Sequence, residues 1–271
     1  MAGATPTSRI RGALPQLGAK RARGDRGFLW ETIVIGPVRS RRLGVSLGLN
    51  LIPQGSKLCT FDCPYCECGR NTAKPPGARW PSPDEIAHSL RHALQRLATP
   101  PDWITFAGNG EPTMHPRFPV VVDRVLAARE ALAPRTRVGV LTNGLAVGRP
   151  DIARALQRLD ARMIKLDPGP VESVNGLRYD RERIAAACRD LAPVIVQAMV
   201  TAAPDWDGSD DAALAAWLPL VEAAAPAGVH LYSLDRAPAD PSLQKVPRER
   251  LDEMATAIRA ALPQCDVQVF G

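Results

Sequence analysis

The chain has 271 residues, 45% hydrophobic and 23% charged, with a formal net charge of +6. That suits one α/β domain with a substantial core, and no run approaches the roughly 18 uninterrupted apolar residues of a membrane span. The N-terminus is basic but lacks the apolar stretch of a secretory signal. Six cysteines, four of them crowded between positions 59 and 68, do not read as a disulfide framework, so a cytoplasmic location is expected.

Residues 1–45 hold nine Lys or Arg (Arg9, Arg11, Lys20, Arg21, Arg23, Arg26, Arg39, Arg41, Arg42) against Asp25 and Glu31. Residues 1–28 lack apolar periodicity, so a flexible basic arm is expected ahead of a domain over residues 29–271. Such an arm is either a solvated tail or a contact for nucleic acid. Residues 32–35 and 46–52 read as β segments on either side of the basic turn Arg39-Ser40-Arg41-Arg42. A cysteine loop follows, and then a helix over residues 84–97, introduced by Ser82-Pro83-Asp84-Glu85.

From there short apolar strands alternate with amphipathic helices. Strands are expected at 103–107, 137–141, 162–166, 194–200, 229–233 and 266–270. Helices are expected at 119–132, 151–159, 181–191, 210–224 and 247–262. The alternation implies βαβ units, a parallel sheet and right-handed crossovers. About six units fit, too few for an eight-fold barrel of ~250 residues. The count suits an open partial (βα)6 barrel, TIM-like, with an N-terminal β extension.

Ligands of a parallel α/β sheet bind at the carboxyl ends of its strands, and the unusual loops fall there. Cys59, Cys63 and Cys66 stand in CTFDCPYC with C-x3-C-x2-C spacing, which supplies three thiolates. A structural zinc site is normally closed by four protein ligands, and a [4Fe-4S] cluster by four cysteines, one per iron. Three ligands would leave one iron open to a small molecule. Cys68 is either a fourth zinc ligand, cramped by its closeness to Cys66, or a spare thiol in a turn.

After strand 103–107 comes Gly108-Asn109-Gly110-Glu111-Pro112-Thr113. Its glycines let backbone N–H groups approach a polar ligand, and the Glu111 carboxylate can accept from an ammonium group. Thr142 and Asn143 end the next strand, either as cofactor contacts or as a plain Asn-Gly turn. Lys165 and Asp167 flank Leu166 on one face of the following strand, with Gln197 and Met199 further on. His88 and His92 share a helix face without a zinc-protease pattern. His115 and His230 are within reach of the strand ends.

The cysteine spacing, with aromatic Tyr65 before the last cysteine, resembles the signature of the radical S-adenosylmethionine (SAM) superfamily. The loop at Gly108–Thr113 is similar to that family's Gly-Gly-Glu motif in a looser Gly-x-Gly-Glu-Pro form, with Asn109 as the departure. The strings GPVRSRRLG (36–44), CPYCECGRNT (63–72), GNGEPT (108–113) and KLD (165–167) together resemble a compact Fe–S oxidoreductase branch related to the wybutosine tRNA-modification enzymes.

The resemblance implies closure of the strands into a partial barrel. It also implies a [4Fe-4S] cluster on Cys59, Cys63 and Cys66, with SAM chelated at the open iron by its amino and carboxylate groups. Tyr65, Gly108, Asn109, Gly110, Glu111, Thr142, Asn143, Lys165 and Asp167 become the implied SAM-binding positions. The implied reaction is reductive cleavage of SAM to a 5′-deoxyadenosyl radical that abstracts hydrogen, fed by a donor such as flavodoxin or ferredoxin. The substrate is left open among nucleic acid, peptide and small molecule. A zinc-binding protein and an Fe–S electron carrier or sensor are the rival classes; only SAM chemistry needs the Glu111 loop.

Overall fold

The computed structural model describes residues 17–22 and 27–271, so most of the expected basic arm lies outside the described residues. Its described part is held in place. Strand β1 (Lys20–Ala22) pairs antiparallel with β2 (Phe28–Trp30), and Leu17 bridges to Gly36. The Lys20 ammonium sits 4.3 Å from the Phe28 ring centroid and 4.5 Å from that of Trp30, a cation–π contact that orders a basic residue.

Strand β3 (Val34–Ser40) pairs antiparallel with β4 (Gly44–Leu49), with a register shift between Ile35 and Val38. Then follow α1 (Pro83–Gln95), β5 (Trp103–Phe106), α2 (Phe118–Leu132), β6 (Arg137–Thr142), α3 (Pro150–Gln157), β7 (Ala161–Lys165), α4 (Val171–Asn175) and α5 (Arg181–Leu191). The remainder is β8 (Ile195–Met199), β9 (Thr201–Ala203), β10 (Trp206–Asp207), α6 (Asp211–Ala224), β11 (Gly228–Tyr232), β12 (Gln244–Lys245), α7 (Arg248–Ala261) and β13 (Asp266–Phe270).

Eight strands form one curled open sheet in the order β13-β11-β8-β7-β6-β5-β4-β3. Every neighbouring pair except β3–β4 is parallel. Strands β4, β5, β6, β7, β8 and β11 each lead into a helix that returns to the next parallel strand. This is the partial (βα)6 barrel with an N-terminal β extension that the alternation implies. Short β9, β10 and β12 form a separate antiparallel sheet.

Local chemistry places the helix starts. Ser82 accepts from the Glu85 N–H while the Glu85 carboxylate accepts from the Ser82 N–H, and Pro83 opens α1. Asp180 and Asp210 cap α5 and α6 by accepting from the N–H groups of Arg183 and Ala213. Strand alternation divides the core. Ile104, Phe106, Val140, Ile164 and Val196 face the helix layer with Ile86, Phe118 and Trp217. Trp103, Ala161 and Met163 instead fill the barrel interior, joined by Leu43 from the β3–β4 turn.

That turn also ties the two edges of the open sheet. Arg41 Nη1 donates to the Gly271 carbonyl at 2.9 Å, and its Nη2 lies 3.0 Å from Asp235. Among the described residues no helix is long and apolar enough to cross a membrane.

Candidate functional site

The connection from β4 to α1, residues 50–82, carries the cysteines and is stitched to the loop after β5. Leu58 and Gly110 form a parallel bridge, the Leu58 N–H donating to the Asn109 carbonyl and the Glu111 N–H to the Leu58 carbonyl. A Cβ on Gly110 would stand 1.8 Å from the Leu58 carbonyl oxygen, and one on Gly108 would stand 2.6 Å from Asn50 Oδ1. Gly110 meets the Leu58 backbone and Gly108 meets Asn50, so neither position has room for a Cβ.

The cysteine loop folds back on itself through the end of the CPYCECGRNT string. Asn71 Oδ1 accepts from the Cys59 N–H, and its Nδ2 donates to the carbonyls of Cys59 and Phe61. Thr72 and Lys57 are joined by the Lys57 N–H to Thr72 Oγ1 at 2.8 Å. Asn71 and Thr72 were not singled out from sequence; an Asn-Thr pair after a turn carries no periodic signal.

The loop and the strand ends enclose a cavity of ≈ 160 Å³ lined by Cys59, Cys63, Cys66, Lys57, Tyr65, Gly108, Gly110, Glu111, Thr142, Asn143, Lys165, Gln197 and Tyr232. Among the described residues no three His, Cys, Asp or Glu side chains converge tightly enough to hold a single metal ion. Thiolates on a [4Fe-4S] cube bind different irons and stand farther apart than ligands of one ion.

The surroundings of the thiols fit an anionic cluster. Asn143 Nδ2 lies 3.7 Å from Cys59 Sγ, and Asn175 Nδ2 lies 3.6 Å from Cys63 Sγ. Lys57 is buried, its ammonium 3.2 Å from Asp62. Burial above all pushes the Cys59 thiol up to about 12 and the Cys63 thiol up to about 11. Cys66 is pulled down and Cys68 pushed up by the hydrogen bond between their sulfurs. Cys68 also donates to the Gly108 carbonyl at 3.6 Å.

Glu111 is buried and collects four donors. Its Oε1 accepts from the Thr113 N–H (3.0 Å), Thr113 Oγ1 (2.6 Å) and Thr142 Oγ1 (2.6 Å), and its Oε2 from the Asn143 N–H (2.8 Å). Burial raises its carboxyl pKa against the pull of those donors. Oε2 keeps a lone pair for one further donor.

The opposite wall comes from β7, β8 and β11. Asp167 is fully buried; its Oδ2 accepts from the Tyr65 hydroxyl at 2.5 Å and Asn175 Nδ2 at 2.8 Å, and its Oδ1 from the Met199 N–H at 2.8 Å. Lys165 Nζ lies 3.3 Å from Asp167 Oδ1 and donates to the Tyr232 hydroxyl at 3.1 Å. Burial alone would lower the Lys165 pKa, but Asp167, Tyr232 and Cys63 together raise it.

Several positions differ from their sequence-based roles. The Asn109 side chain faces away from the cavity and clamps β2, accepting from the Trp30 N–H and donating to its carbonyl, both at 2.8 Å. The amide thus does structural work that the glycine of the tighter motif cannot do. Thr142 lines the cavity, and its hydroxyl donates to Glu111 Oε1. His115 pins the start of α1, its Nε2 2.8 Å from the Pro81 carbonyl. His88 and His92 are exposed on α1. Asn175 links Cys63, Tyr65, Asp167 and Tyr179, and the short helix α4 that carries it has no counterpart among the expected elements.

The fold and the cavity at the strand ends together define a radical SAM-type partial barrel. Residues 55–183 match the family model of the radical SAM superfamily. It is 35% identical over 138 residues to a UPF0026 protein of Methanocaldococcus jannaschii, covering 50% of this chain and 40% of that one. It is 32% identical over 135 residues to a UPF0026 protein of Helicobacter pylori, covering 50% and 42%. The chain thus spans less than half the length of these relatives. A radical SAM methyltransferase from Sphaerobacter thermophilus shares the fold at a TM-score of 0.62 with 18% identity, covering 94% of this chain and 77% of that one.

Proposed function

We propose that the chain is a radical SAM enzyme in which Cys59, Cys63 and Cys66 hold a [4Fe-4S] cluster and the Glu111 side of the cavity receives SAM. The observation that carries the reading is the shared cavity: three thiols from one loop and the buried Glu111 loop line the same space. When bound, the cluster would supply one electron to the sulfonium of SAM, giving methionine and a 5′-deoxyadenosyl radical that abstracts hydrogen from a substrate.

The chain's own residues prepare that chamber. The Asn143 and Asn175 amides aim N–H donors at Cys59 and Cys63, which stabilises thiolate charge. Glu111, with one acceptor site left, suits the ammonium of SAM. Tyr65, Asp167, Asn175 and Lys165 form a satisfied buried network that fixes the opposite wall. Burial around the thiols excludes water, which a radical reaction requires.

As electron donor we propose a reduced flavodoxin or ferredoxin, and as compartment the cytoplasm, which keeps thiols available. Kinship with the wybutosine-related branch rests on the GPVRSRRLG and CPYCECGRNT strings. Anaerobic reconstitution should load about four irons and four sulfides per chain, with an electron paramagnetic resonance signal that shifts when SAM is added. A Cys63→Ala variant that loads the same cluster and shows the same shift would overturn the ligand assignment.

A further inference from the structure

Resting on the reading of this cavity as the reaction chamber, we infer that Arg42 anchors a carboxylate or phosphate group of an anionic substrate. The β3–β4 turn crosses the open side of the barrel. Leu43 enters the interior beside Trp103, Met163 and Ile195, and Arg41 fastens to Asp235 and Gly271. Arg42, between them, turns toward the cavity wall opposite the cysteines. Its Nη1 donates to Gln197 Oε1 at 2.5 Å, and its guanidinium lies 4.4 Å from the Tyr232 ring centroid.

Both partners line the cavity, and neither is a carboxylate. Lys165, on the other side of Tyr232, is already neutralised by Asp167; among the described residues no carboxylate pairs with Arg42 in this way. A guanidinium offers five N–H donors in a planar fork suited to carboxylate or phosphate, and Gln197 takes one of them.

The support beneath Arg42 is costly and specific. Gln197 is 1% exposed and His230 6%, and Gln197 Nε2 lies 2.7 Å from His230 Nδ1. With Oε1 committed to Arg42, the amide must donate to the imidazole, so His230 is neutral with its proton on Nε2. Burial, aided by Arg42, lowers its pKa to about 4. Two buried polar side chains thus hold one guanidinium against a cavity tyrosine, and Gln197 and His230 are its positioning residues. A turn that needed only fastening has that already in Arg41 and Leu43.

The test is anion binding by the reconstituted full chain, followed as thermal stabilisation on titrating inorganic phosphate or malonate at constant ionic strength. One saturable site is expected, preferring phosphate or dicarboxylate according to the substrate's own group. Arg42→Gln should weaken it about tenfold or more through loss of a charge-assisted contact, Arg42→Lys should restore it in part, and Arg41→Gln should bind as the parent does.

If Arg42→Gln shows no cooperative unfolding, Gln197→Leu replaces it, leaving the charge present but unfastened; it should weaken binding severalfold. Equal binding by the parent and Arg42→Gln, or no saturable binding of either anion, overturns the inference. Cleavage of SAM by a parent protein without Arg42-dependent anion binding would remove this inference alone. Arg42-dependent binding in a parent that never cleaves SAM would remove the radical SAM reading and leave the anion site.

Discussion

The two walls of the cavity are built by different means. The wall on β4, β5 and β6 is made of loops: backbone meets backbone at Leu58 and Gly110, and Glu111 is held by neighbouring N–H and hydroxyl groups. The wall on β7, β8 and β11 is made of side chains reaching between strands: Lys165, Asp167, Gln197, His230 and Tyr232, with Arg42 arriving from the opposite edge of the sheet. On the proposed reading the first wall would receive the cofactor and the second would carry the charges that meet a substrate. A backbone-built wall beside a side-chain-built wall lets one fold carry different chemistries, since side chains change without moving the backbone.

If the first wall depends on backbone contact, one methyl group at its seam should have the largest effect. Gly110→Ala places a Cβ 1.8 Å from the Leu58 oxygen and should cost about 5 kcal/mol or abolish cooperative unfolding; a urea titration matching the parent would show that the seam is loose. On the second wall, Asp167→Ala strands the Lys165 ammonium and three donors, the Tyr65 hydroxyl, Asn175 Nδ2 and the Met199 N–H. A loss of about 4 kcal/mol is expected, measured by the same titration, and a loss below 1 kcal/mol would mean that water replaces the carboxylate.

His230 gives the second wall a pH signature. Its folded pKa of about 4 lies below the ordinary 6.5, so between these values the unfolded chain binds the extra proton. Stability should therefore fall by about 3 kcal/mol as pH drops from 6.5 to 4, and no further from this group below that. His230→Gln should flatten that part of the profile, and an unchanged slope would show that the imidazole titrates freely.

The smallest expected effect lies at the outer edge of the first wall. Asn109→Gly removes both side-chain bonds to Trp30, costing about 2 kcal/mol. The signature is faster hydrogen exchange at the Trp30 amide with the Glu111 contacts intact; unchanged exchange would mean that β1 alone holds β2.

The same contrast explains what could be read from the sequence. The strands at 103–107 and 137–141 stand out because short apolar runs are bounded by Gly, Asn and Thr, and the loops they feed are contiguous strings. The spacing of Cys59, Cys63 and Cys66 in the loop after β4, and Glu111 in the loop after β5, were visible as contiguous strings, and the structure brings all four to one cavity. Asn175 was not, because a five-residue helix has no periodicity to detect. The role of Asn109 was not legible either, since it depends on Trp30, 79 positions away. The Arg42–Gln197–His230 relay joins three distant segments and exists only once the sheet curls. The basic turn was visible as charge, but that Arg41 fastens the barrel while Arg42 packs on Gln197 and Tyr232 depends on segments far away in sequence.

The most direct test of the central claim is 5′-deoxyadenosine, measured by mass spectrometry after anaerobic reconstitution, reduction with dithionite and addition of SAM. The expected result is product well above that of a variant with Cys59, Cys63 and Cys66 all changed to alanine. Full iron and sulfide loading with no product above that variant, in the presence of anionic candidate substrates, would contradict it.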